Sequence, residues 1–475
     1  IGIYKNNSAD QHRITVELRG TTSNRRGLGA TVRVETEAGK QSRYMTLSRG
    51  YMASGEAVLH FGMGDQDKIK SISVQWPSGH LQSFENQEAD QHFVITEPGG
   101  KPKPAEEKVT PTQFTPMASS LSEVRHQEIP FDDYALQPLL PQKISQLGPG
   151  MAWGDIDGDG DYDAYFSGAK GSAGKVMRNE GKGKFSTAFV TAANFEDMGA
   201  VFFDADGDGD QDLYVVSGGN ESAPGDAALR DRLYLNSKKG EFTQAELPDF
   251  RDSGGPVAAA DFDRDGDLDL FVGGRITPGK YPLAPKSRLL RNDGTGKFAD
   301  VTDEVAPNLS AIGMVTSALW SDAVGDDRVD LLLTCEWSPP RIFQSKDGKL
   351  FEFTQQAGLA NHWGWWNGIA GADIDNDGDM DYAISNFGEN TKYHASYEKP
   401  TRIFYGDFDG SGKESLVEAE YEGKTLYPVR GRSCSSGAMP FLARKFTTYK
   451  GFAAASLTDI YTPQKLSQAI QYVAT

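Results

Sequence analysis

One nine-residue pattern, DxDxDGDxD, constrains this chain more than any other feature. It reads DIDGDGDYD at 155, DADGDGDQD at 204, DFDRDGDLD at 261 and DIDNDGDMD at 373. Two weaker members, DAVGDDRVD at 322 and DFDGSGKES at 407, complete the series. Start to start, the intervals are 49, 57, 61, 51 and 34 residues, a period that belongs to propeller-type repeats. Within each module an apolar run precedes the aspartates (GMAW, GAVFF, GPVAAA, GIAGA) and another follows them (AYFSG, LYVVSGG, LFVGG, YAISN). A third run (KVMRN, DRLYLN, SRLLRN, PRIFQ), a glycine turn and a fourth run come next. These short runs read as four antiparallel strands. A four-stranded repeat has exposed edges, which radial repetition about an axis covers.

Carboxylates at positions 1, 3 and 5 of a tight loop converge on one point, and glycine at position 6 supplies the positive φ that wraps the loop around it. Hard oxygen donors in that number select Ca²⁺. An EF-hand would continue into a helix with a bidentate Glu at position 12. Here that position holds Phe166, Val215, Val272 or Ile384, all apolar and inside the next strand. The ligand sets are Asp155, Asp157, Asp159 and Asp163; Asp204, Asp206, Asp208 and Asp212; Asp261, Asp263, Asp265 and Asp269; and Asp373, Asp375, Asp377 and Asp381. Each set adds a backbone carbonyl at position 7, from Asp161, Asp210, Asp267 and Asp379. Solvated Asx turns would account for one or two aspartates per loop, but not for four ligand positions repeated in four loops. The loop at 322 has Val324 at position 3 and Asp327 in place of glycine, and is expected to hold no ion. At 407, Asp407, Asp409 and Ser411 are the available donors, with Gly412 in place and Ser415 at position 9, which makes a fifth, weaker site.

The remaining composition narrows the partners. A formal charge of −19 over 475 residues argues against a nucleic-acid backbone as partner, and no apolar run is long enough to span a bilayer. Cys335 and Cys434 are too few for a disulfide scaffold or a CxxC site. One bridge and two free buried thiols both remain open, with free thiols favoured.

Residues 1–96 differ in pattern. Ile14, Val16 and Leu18, and again Ile72, Val74 and Trp76, alternate as half-buried strands do, separated by Gly-rich and Pro-Ser-Gly turns. This is a small all-β domain. EPGGKPKPAEEK, opening a segment over 97–112, reads as a semi-extended linker. The propeller then occupies 113–475, ending in a short helix with Thr462 as N-cap, Pro463 in the first turn, and Leu466, Ile470 and Val473 on one face.

The repeats from about 147 to 415 resemble FG-GAP or VCBS repeats of integrin-α-type β-propellers. That resemblance implies ions seated in the blade hairpins and ligands bound elsewhere on the propeller face. The phrases SNRRGLGA, LHFGMG and WPSG in the first domain resemble the ASPIC/UnbV domain, found beside such propellers in cartilage-acidic-protein-like and bacterial surface or secreted proteins. In that family the domain usually follows a propeller. GIYKNN at 2–7 has the form of a third blade strand and is expected to be a remnant of an upstream repeat (residues 1–8). The propeller itself is expected to be incomplete, because five or six hairpins fall short of about seven blades. Its open edges would make the fragment aggregation-prone or paired with another chain.

No nucleophile elbow, phosphate loop or carboxylate pair outside the repeats stands out, and His60 reads as structural. Exposed Trp beside Glu or Asn suits sugar or protein recognition, which makes Glu336, Trp337 and Trp363 candidates for a ligand face. Trp365 and Trp366 read instead as core or inter-blade packing. The expected function is a secreted or cell-surface calcium-binding propeller serving as a binding or adhesion module for a protein or glycan, non-enzymatic. The alternative is a catalytic or non-catalytic part of an exported polysaccharide-processing enzyme.

Overall fold

The computed structural model describes residues 11–46, 57–100, 121, 124–237, 240–375, 379–388 and 391–475. The GIYKNN segment, Asp377 and most of the linker lie outside the described residues. The chain divides into two compact units, 1–115 and 116–475.

The first unit is all-β. His12–Arg19 pairs antiparallel with Val58–Gly64 and parallel with His92–Thr96. A second sheet runs in the order Gly39–Tyr44, Thr31–Thr36, Lys68–Gln75, Leu81–Glu88. Strand alternation puts Ile14, Val16, Leu18, Val32, Val34, Phe61, Ile72, Val74 and Trp76 into one core and leaves His60 on the outward side of its strand. Glu97, which composition assigns to the start of the linker, is instead a buried anchor, 2% exposed. Its Oε2 accepts the N–H groups of Thr21, Thr22 and Ser23 at 2.8, 2.8 and 2.7 Å. Its Oε1 accepts the hydroxyls of Ser23, at 2.8 Å, and Ser78. One carboxylate thereby ties together the two turns that carry the SNRRGLGA and WPSG phrases.

Burial alone would raise the Glu97 pKa. The Ser78 hydroxyl and the donors of residues 21–23 overcome it and hold the carboxyl at about 2, against an ordinary 4.5. A folded pKa below the unfolded one means that this stabilisation is complete above pH 4.5 and is lost as pH falls from 4.5 towards 2. Glu97→Gln should cost roughly 2–3 kcal/mol and flatten the acid limb of unfolding over that window, as read by pH-dependent denaturant titration.

The second unit is a row of antiparallel sheets. Four have four strands each in sequence order: Met151–Gly154 to Phe185–Val190, Asp197–Phe203 to Phe242–Ala245, Gly254–Ala260 to Phe298–Asp300, and Met314–Ser321 to Lys349–Glu352. A two-stranded hairpin, Trp366–Ala372 with Asp381–Asn386, follows. The first strands of these five sheets are successive neighbours, as the inner strands of propeller blades are. Among the described residues no sheet closes on itself, and 124–150 contributes one short helix, Asp133–Leu136, and no strand.

The last sheet departs from the blade order, running Thr425–Pro428, Ser415–Glu422, Thr401–Gly406, Ile470–Ala474. The expected terminal helix stops at Gln468, although Thr462 caps it and Pro463 opens it. Ile470 and Val473 lie in a strand that pairs with Thr401–Gly406. IQYVA is a β-prone run, and the free edge of that strand offers its N–H and C=O groups a better partner than another helical turn. Five short helices between Arg432 and Gln468 pack Leu442, Phe452, Leu457, Ile460 and Tyr461 into a core shared with Ile403, Phe404, Trp337 and Trp365. Both cysteines are free; Cys335 is buried and Cys434 is exposed.

Candidate functional site

Each aspartate loop joins the first two strands of a sheet and is organised by its own carboxylates. In the first loop, Asp155 Oδ1 accepts the N–H of Gly158 at 2.8 Å and Oδ2 that of Gly160 at 3.0 Å. Asp159 Oδ1 accepts the N–H of Asp161 at 2.9 Å. The loops at 204, 261 and 407 repeat the bond from position 6 to position 1, at 3.0, 3.1 and 3.0 Å. Positions 4 and 6 both take positive φ: +73° and +89° at Gly158 and Gly160, and +64° and +100° at Arg264 and Gly266. A Cβ on Gly160 would meet nothing within 4 Å, so the backbone angle, not space, favours glycine there. Sequence reasoning identified position 6 and missed position 4.

The aspartate at position 9 has a second role. Asp163 Oδ2 accepts the N–H of Ile156 at 2.8 Å and Oδ1 that of Asn179 at 2.6 Å. Asp212 does the same with Ala205 and Asn236, both at 2.7 Å, and Asp269 accepts from Asn292 at 2.8 Å. All three are fully buried. They close the loop and pin the end of the third strand to it.

That third-strand residue then reaches the preceding sheet. Asn236 Nδ2 donates to the carbonyl of Ile156 at 2.7 Å, Asn292 Nδ2 to that of Ala205 at 2.8 Å, and Ser345 Oγ to that of Phe262 at 2.9 Å. Each acceptor is position 2 of the previous aspartate loop, and Ile156, Ala205 and Phe262 are all buried. Their counterpart in the two-stranded hairpin, Ile374, is 67% exposed.

Three carboxylates of each predicted set of four converge; Asp159, Asp208 and Asp269 fall outside the clusters. Oxygens of Asp155, Asp157 and Asp163 lie within 4.8 Å of one another, as do those of Asp204, Asp206 and Asp212, of Asp261, Asp263 and Asp265, and of Asp373, Asp375 and Asp381. Asp157 Oδ1 and Asp263 Oδ1 are buried without a hydrogen-bond partner. Burial, reinforced by neighbouring aspartates, raises Asp206 and Asp263 and lifts Asp212 to about 6 and Asp269 to about 7. The side chains of Asp161, Asp210, Asp267 and Asp379 stand outside these clusters.

The 322 loop folds the same way without the crowding. Asp322 accepts the N–H groups of Gly325, Asp326 and Asp327 at 2.8, 3.0 and 2.9 Å, and Asp327 adopts φ +60°. The missing glycine therefore does not prevent the turn. What differs is the charge: Arg328 pairs with Asp326, and Gln344 Nε2 donates to the same carboxylate at 2.8 Å. Although burial opposes it, those N–H groups and Arg328 hold Asp322 below the ordinary aspartate value. At 407, Ser411 Oγ accepts the N–H of Lys413 at 3.2 Å, and Lys465 Nζ donates to the Asp407 carbonyl at 3.0 Å.

The three candidates for a ligand face are placed unevenly. Trp363 is 38% exposed, whereas Glu336 and Trp337 are 2% and 1% exposed. Glu336 pairs with Arg275 and accepts the Tyr281 hydroxyl at 2.9 Å, which in turn accepts the indole N–H of Trp337 at 2.6 Å. All three line a cleft of about 650 Å³ with Tyr472 and Gln471. Trp337 also borders a second cavity of about 570 Å³, lined by Trp365, Phe387, Tyr393 and His394. There Trp365 stacks on Phe387 at 4.4 Å and tilts against Trp337 at 5.2 Å. Phe387, Tyr393 and His394 were not legible as site residues, because no motif links them and only the fold brings them together.

Against known proteins, residues 20–102 match the family described as ASPIC and UnbV. Residues 155–215, 216–272 and 322–384 match the FG-GAP-like repeat. The chain thus carries an ASPIC/UnbV segment followed by FG-GAP-like repeats. No curated protein matches it. Among matching solved structures is a protein from Bifidobacterium bifidum s17, provisionally named an exo-beta-1,3-galactanase. It is 8% identical, with 59% of this chain and 90% of that one covered at a TM-score of 0.28, a likeness too slight to carry an argument. No helix among the described residues is long and apolar enough to cross a membrane.

The latch between sheets is directly testable. Asn292→Ala removes the bonds to the carbonyls of Ala205 and Leu268 and should cost about 2 kcal/mol. Asn179→Ala loses a 3.2 Å bond to the Tyr162 carbonyl and the Gly181 N–H donated to its Oδ1 at 3.1 Å, both within its own sheet, and should cost less than that. Chemical denaturation of the two variants decides between an inter-sheet latch and a local turn preference.

Proposed function

We propose that this chain is a calcium-clasped propeller-type binding module of an exported or cell-surface protein, with a protein or glycan as its ligand. The observation that carries this reading is the convergence of oxygen donors, with no His or Cys among them, in the four loops at 155, 204, 261 and 373. Such a donor set suits a hard cation. A divalent ion there would neutralise carboxylates that otherwise repel one another in partly buried surroundings. Extracellular calcium modules work at dissociation constants of about 10⁻⁴–10⁻³ M, which fits export. FG-GAP-like repeats support the same assignment.

The binding role is assigned to the aromatic cavity around Trp337, Trp365, Phe387, Tyr393 and His394. Flat aromatic faces with polar edges suit sugar rings and protein side chains alike. The carboxylates that reach its lining are already engaged. Glu418 takes Lys392, Arg430 and the Tyr393 hydroxyl, and Glu420 takes the His394 N–H at 2.8 Å and the Thr401 hydroxyl at 3.2 Å. This favours binding over general acid–base chemistry at this place.

Calcium should raise the melting temperature through its selective binding to the folded state. An unchanged melting curve in excess chelator would sink the structural-calcium assignment. Anomalous scattering from calcium-soaked crystals should show ions at 155, 204, 261 and 373 and none at 322, where Arg328 already serves Asp326; a fully coordinated ion at 322 would contradict that account. For the cavity, a glycan array and immobilised-protein screen on calcium-loaded chain should give saturable binding that His394→Ala weakens by about fivefold, roughly 1 kcal/mol. Binding indifferent to that change would place the ligand elsewhere.

A further inference from the structure

At the end of the first two sheets away from the aspartate loops lies a cluster of different chemistry. Hairpin register fixes its place: Gly154 opposite Asp163 marks the loop end of the first hairpin and Met151 opposite Phe166 the far end. In the second, Phe203 opposite Asp212 and Asp197 opposite Ser217 do the same. Glu196 immediately precedes that far end, and the turn at 167–172 follows the other. Into this corner the segment before the first sheet brings His126 and Glu128. Donor atoms of His126, Glu128 and Glu196 lie within 4.8 Å of one another.

We propose that His126, Glu128 and Glu196 form a three-ligand site for a divalent transition metal of the zinc class. Three observations carry this. Glu196 is 4% exposed; its Oε2 accepts the N–H of Lys170 at 2.8 Å, while its Oε1, in the cluster's interior, has no hydrogen-bond partner. A buried carboxylate oxygen left unpaired beside a second carboxylate is stabilised by a bound cation. The nearby Lys170 ammonium is directed to the Glu221 carbonyl and the Ser222 hydroxyl, at 3.1 and 3.0 Å.

The second observation is the orientation of the imidazole. His126 Nδ1 lies 3.3 Å from the carbonyl of Ser167. Donation there leaves Nε2, 2.6 Å from Glu128 Oε1, as the nitrogen available to a metal, the arrangement by which carbonyl acceptors fix histidine ligands.

The third is the rigidity of the support. Asp197, next to Glu196, pairs with the buried Arg232 and accepts the N–H of Gly168 at 3.0 Å and the Tyr165 hydroxyl at 2.6 Å, so the turn carrying Ser167 and Lys170 is docked against the same strand. A Cβ on Gly219 would come within 2.7 Å of Glu196 Cγ, which leaves this carboxylate little freedom to swing away.

One imidazole with two carboxylates suits zinc and its first-row neighbours, whereas the oxygen-only loops suit calcium. Three protein donors leave a coordination position open. The His126 and Glu128 side chains are 22% and 21% exposed. His126 also borders a cavity of about 80 Å³ shared with Arg125, Ser167 and Lys175, room for water on the open side.

The test uses the full chain with its loops saturated by millimolar Ca²⁺, titrated calorimetrically with Zn²⁺ and, for a spectral signature, with Co²⁺. The expected result is one zinc ion per chain and visible Co²⁺ bands. Glu196→Gln and His126→Gln should each weaken binding at least tenfold and abolish the bands, while Asp157→Asn in the first aspartate loop leaves both unchanged. Circular dichroism checks that the variants fold. Glu128→Gln, at a ligand more accessible than Glu196, supplies an independent loss should the buried Glu196 substitution fail to fold. Absence of zinc uptake by the wild-type chain overturns the proposal, as does zinc binding that survives in the folded ligand variants or that disappears with Asp157→Asn.

Discussion

The second unit depends on a carboxylate that sees no solvent. Asp163, Asp212, Asp269 and Asp330 each end an acidic loop and begin a strand, and each is fully buried. A charge in that position is best tolerated when both oxygens are supplied with donors, as in Asp163, Asp212 and Asp330, whereas Asp269 Oδ2 has none. The bonds come from the backbone of the loop behind and of the third strand ahead, as in Asp330, which takes the N–H groups of Ala323 and Val324 at 3.0 and 3.1 Å and that of Ser345 at 3.0 Å. This one residue therefore sets the loop's closure, the hairpin's register and the docking of its neighbour. Because the 322 loop keeps the aspartate while losing the full set of acidic positions, the brace and the acidic cluster are separable features of one motif.

The same comparison shows what the other aspartates contribute. Where positions 1, 3 and 5 are all acidic, burial and mutual repulsion push carboxyl groups upward. At 322 three backbone N–H groups, with Arg328 adding to them, bring the position-1 carboxyl down against burial. Arg178 on Asp157 and Arg291 on Asp263, at 3.1 and 2.8 Å, are intermediate cases in which a third-strand guanidinium offsets part of the charge. The loops thus differ in how far an arginine offsets their own carboxylates.

Much of the β architecture was legible because its signals are local. The spacing of aspartates, the apolar runs beside them and the alternation of Ile14, Val16 and Leu18 each act within one strand or turn. Pairing partners are not local. The sequence offered no reason to join Ile470–Ala474 to Thr401–Gly406, and the good N-cap at Thr462 pointed to a longer helix. Glu97 looked like linker because its neighbours are Pro, Gly and Lys, whereas its role is set by donors more than seventy residues earlier. Trp337 and Glu336 looked like surface recognition groups, and the fold placed them against Arg275 and Tyr281, some sixty residues away in sequence. Asp377 belongs to the fourth loop by pattern alone, since it lies outside the described residues.

The latches all point the same way: residues 236, 292 and 345 reach back over 80, 87 and 83 positions to the loop before. During synthesis from the N-terminus, then, none of the three hairpins so capped is finished when its own strands leave the ribosome. Each of these three must wait for about 70 more residues before its loop is capped, and closing so long a span is an entropic cost that the nascent chain meets at each latch. Growth is consequently stepwise, with the newest hairpin always the least protected. Ile374, bare at the tip of the 373 hairpin, shows what that intermediate surface looks like.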